Sequence, residues 1–295
     1  MWQNLFHDLQ QGDARALART ISFVENRVSG YEELLQQLPQ SNTGIIGITG
    51  PPGAGKSSLV DALIGEMVQQ NKRVSVLCVD PSSPFNLGAL LGDRIRMSEW
   101  YNHPNVFIRS LATRGSLGGL HPMIIEIADV MKAAGFDHII VETVGVGQSE
   151  IEIAGLADVT VVVVVPEAGD EVQTMKAGLM EIADVFVVNK SDRPDADTFV
   201  KNLRLMLAPS FHYHQHTIEI VKTIATTRSG VSELYSAIQK RSEEVKTSEK
   251  KFWLLAEKAY HLIQQKRMND ISKSALLEEI KNKENFNLYQ FVNRY

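Results

Sequence analysis

Apolar residues recur along this chain in two rhythms, and the change from one to the other divides it. At the start, Trp2, Leu5, Phe6 and Leu9 follow helical spacing. After a turn at Gln11, Gly12 and Asp13, a second stripe runs through Leu17, Ile21, Val24 and Val28. Asp13 predicts an N-cap for that second helix and Gly30 its stop. Near Ser41 to Gly44 the pattern becomes strand, loop and helix in repetition. Strands are predicted over Ile45–Thr49, Val74–Asp80, Val106–Ile108, His138–Glu142, Val159–Val165, Val185–Asn189 and Ile218–Ile224. Several of these runs are near-continuously apolar instead of alternating, as expected for strands covered on both faces of a parallel sheet. Stretches over Ser57–Gln70, Met123–Ala134 and Gln173–Ile182 read as crossover helices. Beyond about Lys246 the strand pattern ends. Phe252, Leu255, Ala256, Ala259 and Ile263 mark one amphipathic helix, and Leu276, Leu277 and Ile280 another. The expected fold class is α/β: a mostly parallel sheet flanked by helices, with helical N-terminal and C-terminal extensions. The segments are 1–40, 41–245 and 246–295.

Charge narrows the function. Across 295 residues, 30 Lys and Arg stand against 35 Asp and Glu, a net charge of −5. A mildly acidic chain is poorly suited to nucleic acid or to a membrane surface held by bulk charge, so neither partner is expected. Cys78 is the one cysteine, which excludes an intramolecular disulfide and a cysteine-cluster metal site. The longest apolar run, Val159–Pro166, is far short of the roughly 20 residues that span a bilayer. MWQNLFHDLQ lacks the basic-then-apolar pattern of a secretory signal, so a cytoplasmic location is expected.

Gly50, Pro51, Pro52, Gly53, Ala54, Gly55, Lys56 and Ser57 fit G-x-x-x-x-G-K-[ST] between a predicted strand and a predicted helix. Such a P-loop wraps an anion with backbone N–H groups at a helix N-terminus, here entering the helix through Ser58. Lys56 would reach the β- and γ-phosphates, and the Ser57 hydroxyl would ligate Mg²⁺. The architecture thus becomes a P-loop NTPase sheet.

Asn189, Lys190, Ser191 and Asp192 follow another strand and match the N-K-x-D guanine pattern. A carboxylate at Asp192 can accept from guanine N1–H and the 2-amino group, a donor pair that adenine lacks. Lys190 would lay its stem along the base. Ala225, in the loop Thr223–Thr227 after the last strand, could offer a backbone donor to the guanine oxygen. The expected ligands are GTP and GDP, with Mg²⁺.

Three carboxylates fall near strand ends. Asp80 closes one strand in the Walker-B arrangement, Asp93 lies in a glycine-containing loop, and Glu142 closes a further strand. Hard oxygens of this kind suit Mg²⁺. Gly145, just beyond Glu142, could donate its N–H to the γ-phosphate.

Together, Val79–Ser83, Leu91–Met97, Val141–Ser149 and Asn189–Asp192 resemble motifs of the MeaB/ArgK family, G proteins associated with methylmalonyl-CoA mutase. The resemblance continues through Gly12–Ala18, Val24–Arg27, Gly115–Gly119 and Gly169–Gln173, across most of residues 10–230. The family pattern reads Asn-Lys-Ala-Asp, and Ser191 replaces its alanine. The resemblance implies a GTP-hydrolysing chaperone that gates cofactor loading and protection of an adenosylcobalamin-dependent acyl-CoA mutase. It implies that Ser57, Asp80, Asp93 and Glu142 surround Mg²⁺, with Asp93 in a first switch and Gly145 in a second. Pro166–Gly178 would be a third switch that senses the mutase, and Lys176 would assist the phosphates once the partner docks. A homodimer through the C-terminal arm is also implied. Two alternatives stand beside this reading. A nickel-insertion metallochaperone could use the alternating His212, His214 and His216, and a transport-system ATPase or kinase would conflict with Asp192.

Overall fold

The computed structural model describes residues 2–80, 97–112, 120–143, 149–166, 177–207, 218–244, 249–268, 271–282, 286–292 and 294. The chain divides into two compact units, Met1–Ser248 and Glu249–Tyr295.

The first unit is built on seven strands: β1 (Gly44–Thr49), β2 (Val74–Asp80), β3 (Val106–Ala112), β4 (His138–Glu142), β5 (Val159–Val164), β6 (Val185–Val188) and β7 (Glu219–Lys222). Their order is β3-β2-β4-β1-β5-β6-β7, and every pairing is parallel. β5 and β6 are buried at every position, which is why their sequences are apolar but for Thr160. One face carries Val161 and Val163 under the helices Lys56–Gln69 and Val231–Glu244, through Leu59, Leu63, Leu234 and Ile238. The other carries Val162 and Val164 with Leu179, Phe199 and Leu203, from the helices Ala177–Ile182 and Ala196–Leu207. A methyl at Gly47 would come within 2.6 Å of Ile153, so the helix Ser149–Leu156 lies directly against β1.

The N-terminal helices differ from expectation in one place. Asp13 caps the helix Ala14–Glu25 by accepting from the Ala16 N–H at 2.6 Å, as its position predicts. That helix stops at Glu25, before Val28, because Arg27 turns into the left-handed region at φ 49°. Val28 is exposed, and Gly30, at φ 89°, opens the next helix, Tyr31–Gln36, instead of ending this one. β3 is also longer than its apolar run. Arg109, a polar position inside it, donates to Glu25 Oε2 at 2.8 Å and to Ser22 Oγ at 3.2 Å, so an N-terminal helix completes the strand.

The second unit contains the helices Glu249–Arg267, Lys273–Lys281 and Leu288–Val292. Phe252, Leu255 and Ile263 of the predicted stripe are exposed, and Trp253 and Tyr260 beside them are too. No helix among the described residues is long and apolar enough to cross a membrane.

At the start of β4, His138 Nε2 lies 2.9 Å from the Tyr235 hydroxyl, ring edge to face. Burial holds the His138 pKa below the ordinary imidazole value, against the opposing pull of Asp137. Between that depressed value and about 6.5, the unfolded chain binds a proton that the folded chain refuses, so stability falls as pH falls through the window. Thermal melts on either side of about pH 6.5 should show the parent losing stability on acidification more steeply than His138→Gln. Equal slopes would remove His138 from the account.

Candidate functional site

Parallel strands all point their C-terminal ends to one edge, and the P-loop, Glu142, the N-K-x-D run and the loop Thr223–Thr227 gather there. Gly50 leaves β1 at φ 136°, and a methyl on it would strike the Val163 carbonyl oxygen at 2.0 Å. Gly55, at φ 87°, caps the helix Lys56–Gln69, and its missing side chain leaves room for the Asn189 amide. Both positions therefore require glycine, for conformation and for closeness. The Lys56 ammonium, in a nearly buried side chain, donates to the carbonyls of Gly50 at 2.9 Å and Pro51 at 3.1 Å. It thus lies across the mouth of its own loop. Pro52 and Gly53 are exposed, Ala54 is buried, and Ser58 is half-buried in the first helical turn.

Asn189 joins this loop to the base side. Its Nδ2 donates to the Ala54 carbonyl at 2.9 Å, while its Oδ1 accepts from the Thr223 hydroxyl at 3.1 Å and the Ala225 N–H at 3.2 Å. Lys190, at φ 55°, sends its ammonium to the Gly53 carbonyl at 2.8 Å, so its stem crosses above Gly55. Asp192 stands exposed just beyond. Motifs after β1, β6 and β7 thus meet in one place.

On the other side of β1, Ser57 Oγ donates to Glu142 Oε1 at 2.7 Å, both side chains being almost wholly buried. Two hard oxygens held together below the P-loop form a donor set that fits Mg²⁺. Thr143 donates its hydroxyl to Thr49 Oγ1 at 2.9 Å and its N–H to the Ile48 carbonyl at 3.0 Å, fixing the end of β4 against β1. The motifs assign no role to the hydroxyls of Thr49, Thr143 and Thr223, although the loop that begins at Thr223 is among them. Their signal was position: each is a small hydroxyl residue at the C-terminal edge of a strand, beside residues that were singled out. Glu152 accepts from the Leu120 N–H at 3.3 Å and is raised in pKa chiefly by burial.

Asp80 closes β2 by its backbone. The Asp80 side chain, Asp93, Gly145, Lys176 and the run His212 to His216 lie outside the described residues. Among the described residues, no group of three or more His, Cys, Asp or Glu side chains is placed to hold a metal.

Comparison with known proteins agrees with this geometry. Residues 17–284 match the family described as methylmalonyl Co-A mutase-associated GTPase MeaB. A putative GTPase of Pyrococcus abyssi is 47% identical over 84% of this chain and 78% of its own length. GTPase ArgK of Escherichia coli is 37% identical over 78% of this chain and 72% of its own. The mouse methylmalonic aciduria type A homolog, a mitochondrial protein, is 33% identical over 83% of this chain and 64% of its own. Among solved structures, a LAO/AO transport system kinase superposes with TM-score 0.68 at 25% identity, over 96% of this chain and 87% of that one. The hydrogenase maturation factor HypB of Archaeoglobus fulgidus shares the fold at TM-score 0.50 and 18% identity, over 76% of this chain and 99% of that one. The family model spans both nucleotide motifs and nearly the whole chain: the protein belongs to the MeaB family and is a GTPase.

Proposed function

We propose that this GTPase is a nucleotide-timed chaperone for an adenosylcobalamin-dependent acyl-CoA mutase of the methylmalonyl-CoA mutase type. The observation that carries the proposal is the family match over residues 17–284, whose description names that mutase. Switch segments ordered by a γ-phosphate relax when the phosphate leaves, so hydrolysis can time a partner's loading. The nickel-insertion alternative rests on fold likeness, and its histidines are outside the described residues.

The site residues take the following proposed roles. P-loop N–H groups from Gly53 to Ser58, beyond the two prolines that have none, cradle the phosphates, and Lys56 turns from its loop carbonyls to the β- and γ-phosphate oxygens. In a nearly water-free setting a fixed ammonium stabilises charge that develops on those oxygens. Ser57, Asp80, Asp93 and Glu142 are the residues that would hold Mg²⁺. A bound Mg²⁺ would supply positive charge to offset that of the phosphates. The Gly145 N–H is assigned to the γ-phosphate, and Lys176 to the phosphates when the mutase is docked. Asn189 holds the base loop in place, Lys190 lies along the base, Asp192 reads guanine, and the Ala225 N–H, given to Asn189 Oδ1 in this structure, would turn to the guanine oxygen. The exposed stripe from Phe252 to Ile263 is assigned to a homodimer contact, since an apolar helix face is favoured by burial against a second copy.

Base selectivity tests the guanine assignment. GDP should bind far more tightly than ADP, and Asp192→Asn should shift preference towards xanthosine nucleotides, because an amide can donate to the xanthine 2-oxo group. Titration calorimetry giving equal GDP and ADP affinities would refute it.

Partner stimulation tests the chaperone assignment. The cognate mutase should raise phosphate release at least about tenfold, or about 1.4 kcal/mol of barrier. Lys176→Ala should lose most of that stimulation and keep the unstimulated rate. Light scattering on a sizing column should read twice the chain mass for the protein alone and a larger species with mutase and GTP or GDP. No stimulation and no complex would sink the chaperone role, and a monomer would sink the dimer.

A further inference from the structure

The turn Ser98–Trp100 stands apart from the phosphate and base motifs, yet its side chains reach the helix that follows the one and the residue that follows the loop of the other. Met97 before it is wholly buried and Trp100 almost so. The Trp100 indole N–H donates to Asp61 Oδ1 at 2.7 Å. Asp61 belongs to the helix that begins at Lys56, so the turn is tied to the helix whose first residues handle phosphate. From the same turn, Glu99 Oε1 lies 3.7 Å from Arg228 Nη2.

Arg228 is the exit of the base loop. It sits at φ 59°, in the left-handed region, and its N–H donates to the Ala225 carbonyl at 3.3 Å. Ala225 in turn donates to Asn189. The Arg228 guanidinium lies over Gly65, where a methyl would come within 3.1 Å of Nη1. A glycine in mid-helix costs about 1 kcal/mol against alanine, and here its bare backbone gives the guanidinium a seat. The carboxyl of Asp61 is raised chiefly by burial, with the Trp100 bond and the Arg228 charge acting downwards and Glu99 upwards. All four side chains therefore share one electrostatic neighbourhood.

We propose that Trp100 and Arg228 are positioning residues that join the base loop to the P-loop helix through the turn Ser98–Trp100, so that guanine binding is registered at that turn. A displacement of Ala225 by the base moves Arg228, and Arg228 is held by Glu99 and by the Gly65 surface. Glu99 is followed directly by Trp100, whose bond to Asp61 sets the turn against the phosphate-binding helix. An exposed ion pair such as Glu99–Arg228 contributes little to stability by itself. Its place is in the linkage, where binding at one end and order at the other must couple equally in both directions. The proposal rests on the assignment of Asn189 and Asp192 to the base, and not on the identity of the protein partner.

The chain has three tryptophans, so Trp2→Phe with Trp253→Phe leaves Trp100 as the sole tryptophan, read by excitation selective for indole over the tyrosines. GDP should change its emission, with the same midpoint as calorimetric binding. Arg228→Gln should cut the amplitude at least about twofold while leaving the GDP dissociation constant within about threefold of the parent. Glu99→Gln, an exposed substitution that should not perturb folding, should act in the same direction. A merely structural role would alter the melting temperature and leave the amplitude intact. Binding without an emission change, or full amplitude in both variants, overturns the positioning role alone. Failure of GDP to bind the parent would overturn the base assignment as well.

Discussion

The carboxamide of Asn189 is almost completely buried and spends its hydrogen-bonding capacity on three neighbours in two loops. It gives one bond to the P-loop at Ala54 and accepts two from the base loop at Thr223 and Ala225. A buried polar group is tolerated only when satisfied, so each loop must hold its place for Asn189 to hold its own. Gly55 extends the same constraint, since any side chain there would meet the amide. Phosphate and base sites thereby become one site with two ends.

A parallel sheet makes that arrangement available. β1 lies between β4 and β5, so the P-loop emerges with Glu142 on one side and the base motifs on the other. Ser57 turns to Glu142 on the first side, and Asn189 to Ala54 on the second. Valine-rich strands buried on both faces hold these strand ends in register, leaving the loops to carry chemistry. The family of the chain gives this geometry its reaction, GTP hydrolysis.

What could be read from sequence was what local spacing encodes. The P-loop and N-K-x-D are contiguous, and β5 and β6 announce themselves as valine-rich runs in which Thr160 is the one polar residue. Apolar spacing predicts β3 only as far as Ile108 because Arg109 and Ser110 break the run, and the partners that complete Arg109, Ser22 and Glu25, lie more than eighty residues away. Gly30 was read as a stop because glycine commonly ends helices, whereas the left-handed Arg27 had already ended that one. The joining of Ser57 to Glu142 and of Asn189 to Ala54 spans 85 and 135 residues, beyond any local pattern. Trp100 bonded to Asp61 was invisible for the same reason.

The account stands or falls on whether Asn189 couples the two loops. Calorimetric titration of GDP into Asn189→Ala measures this directly. Losing the amide strands the Ala54 carbonyl, the Thr223 hydroxyl and the Ala225 N–H, so GDP affinity should fall at least about 30-fold, or about 2 kcal/mol, with a lower melting temperature. A variant that binds GDP within about threefold of the parent would contradict the account.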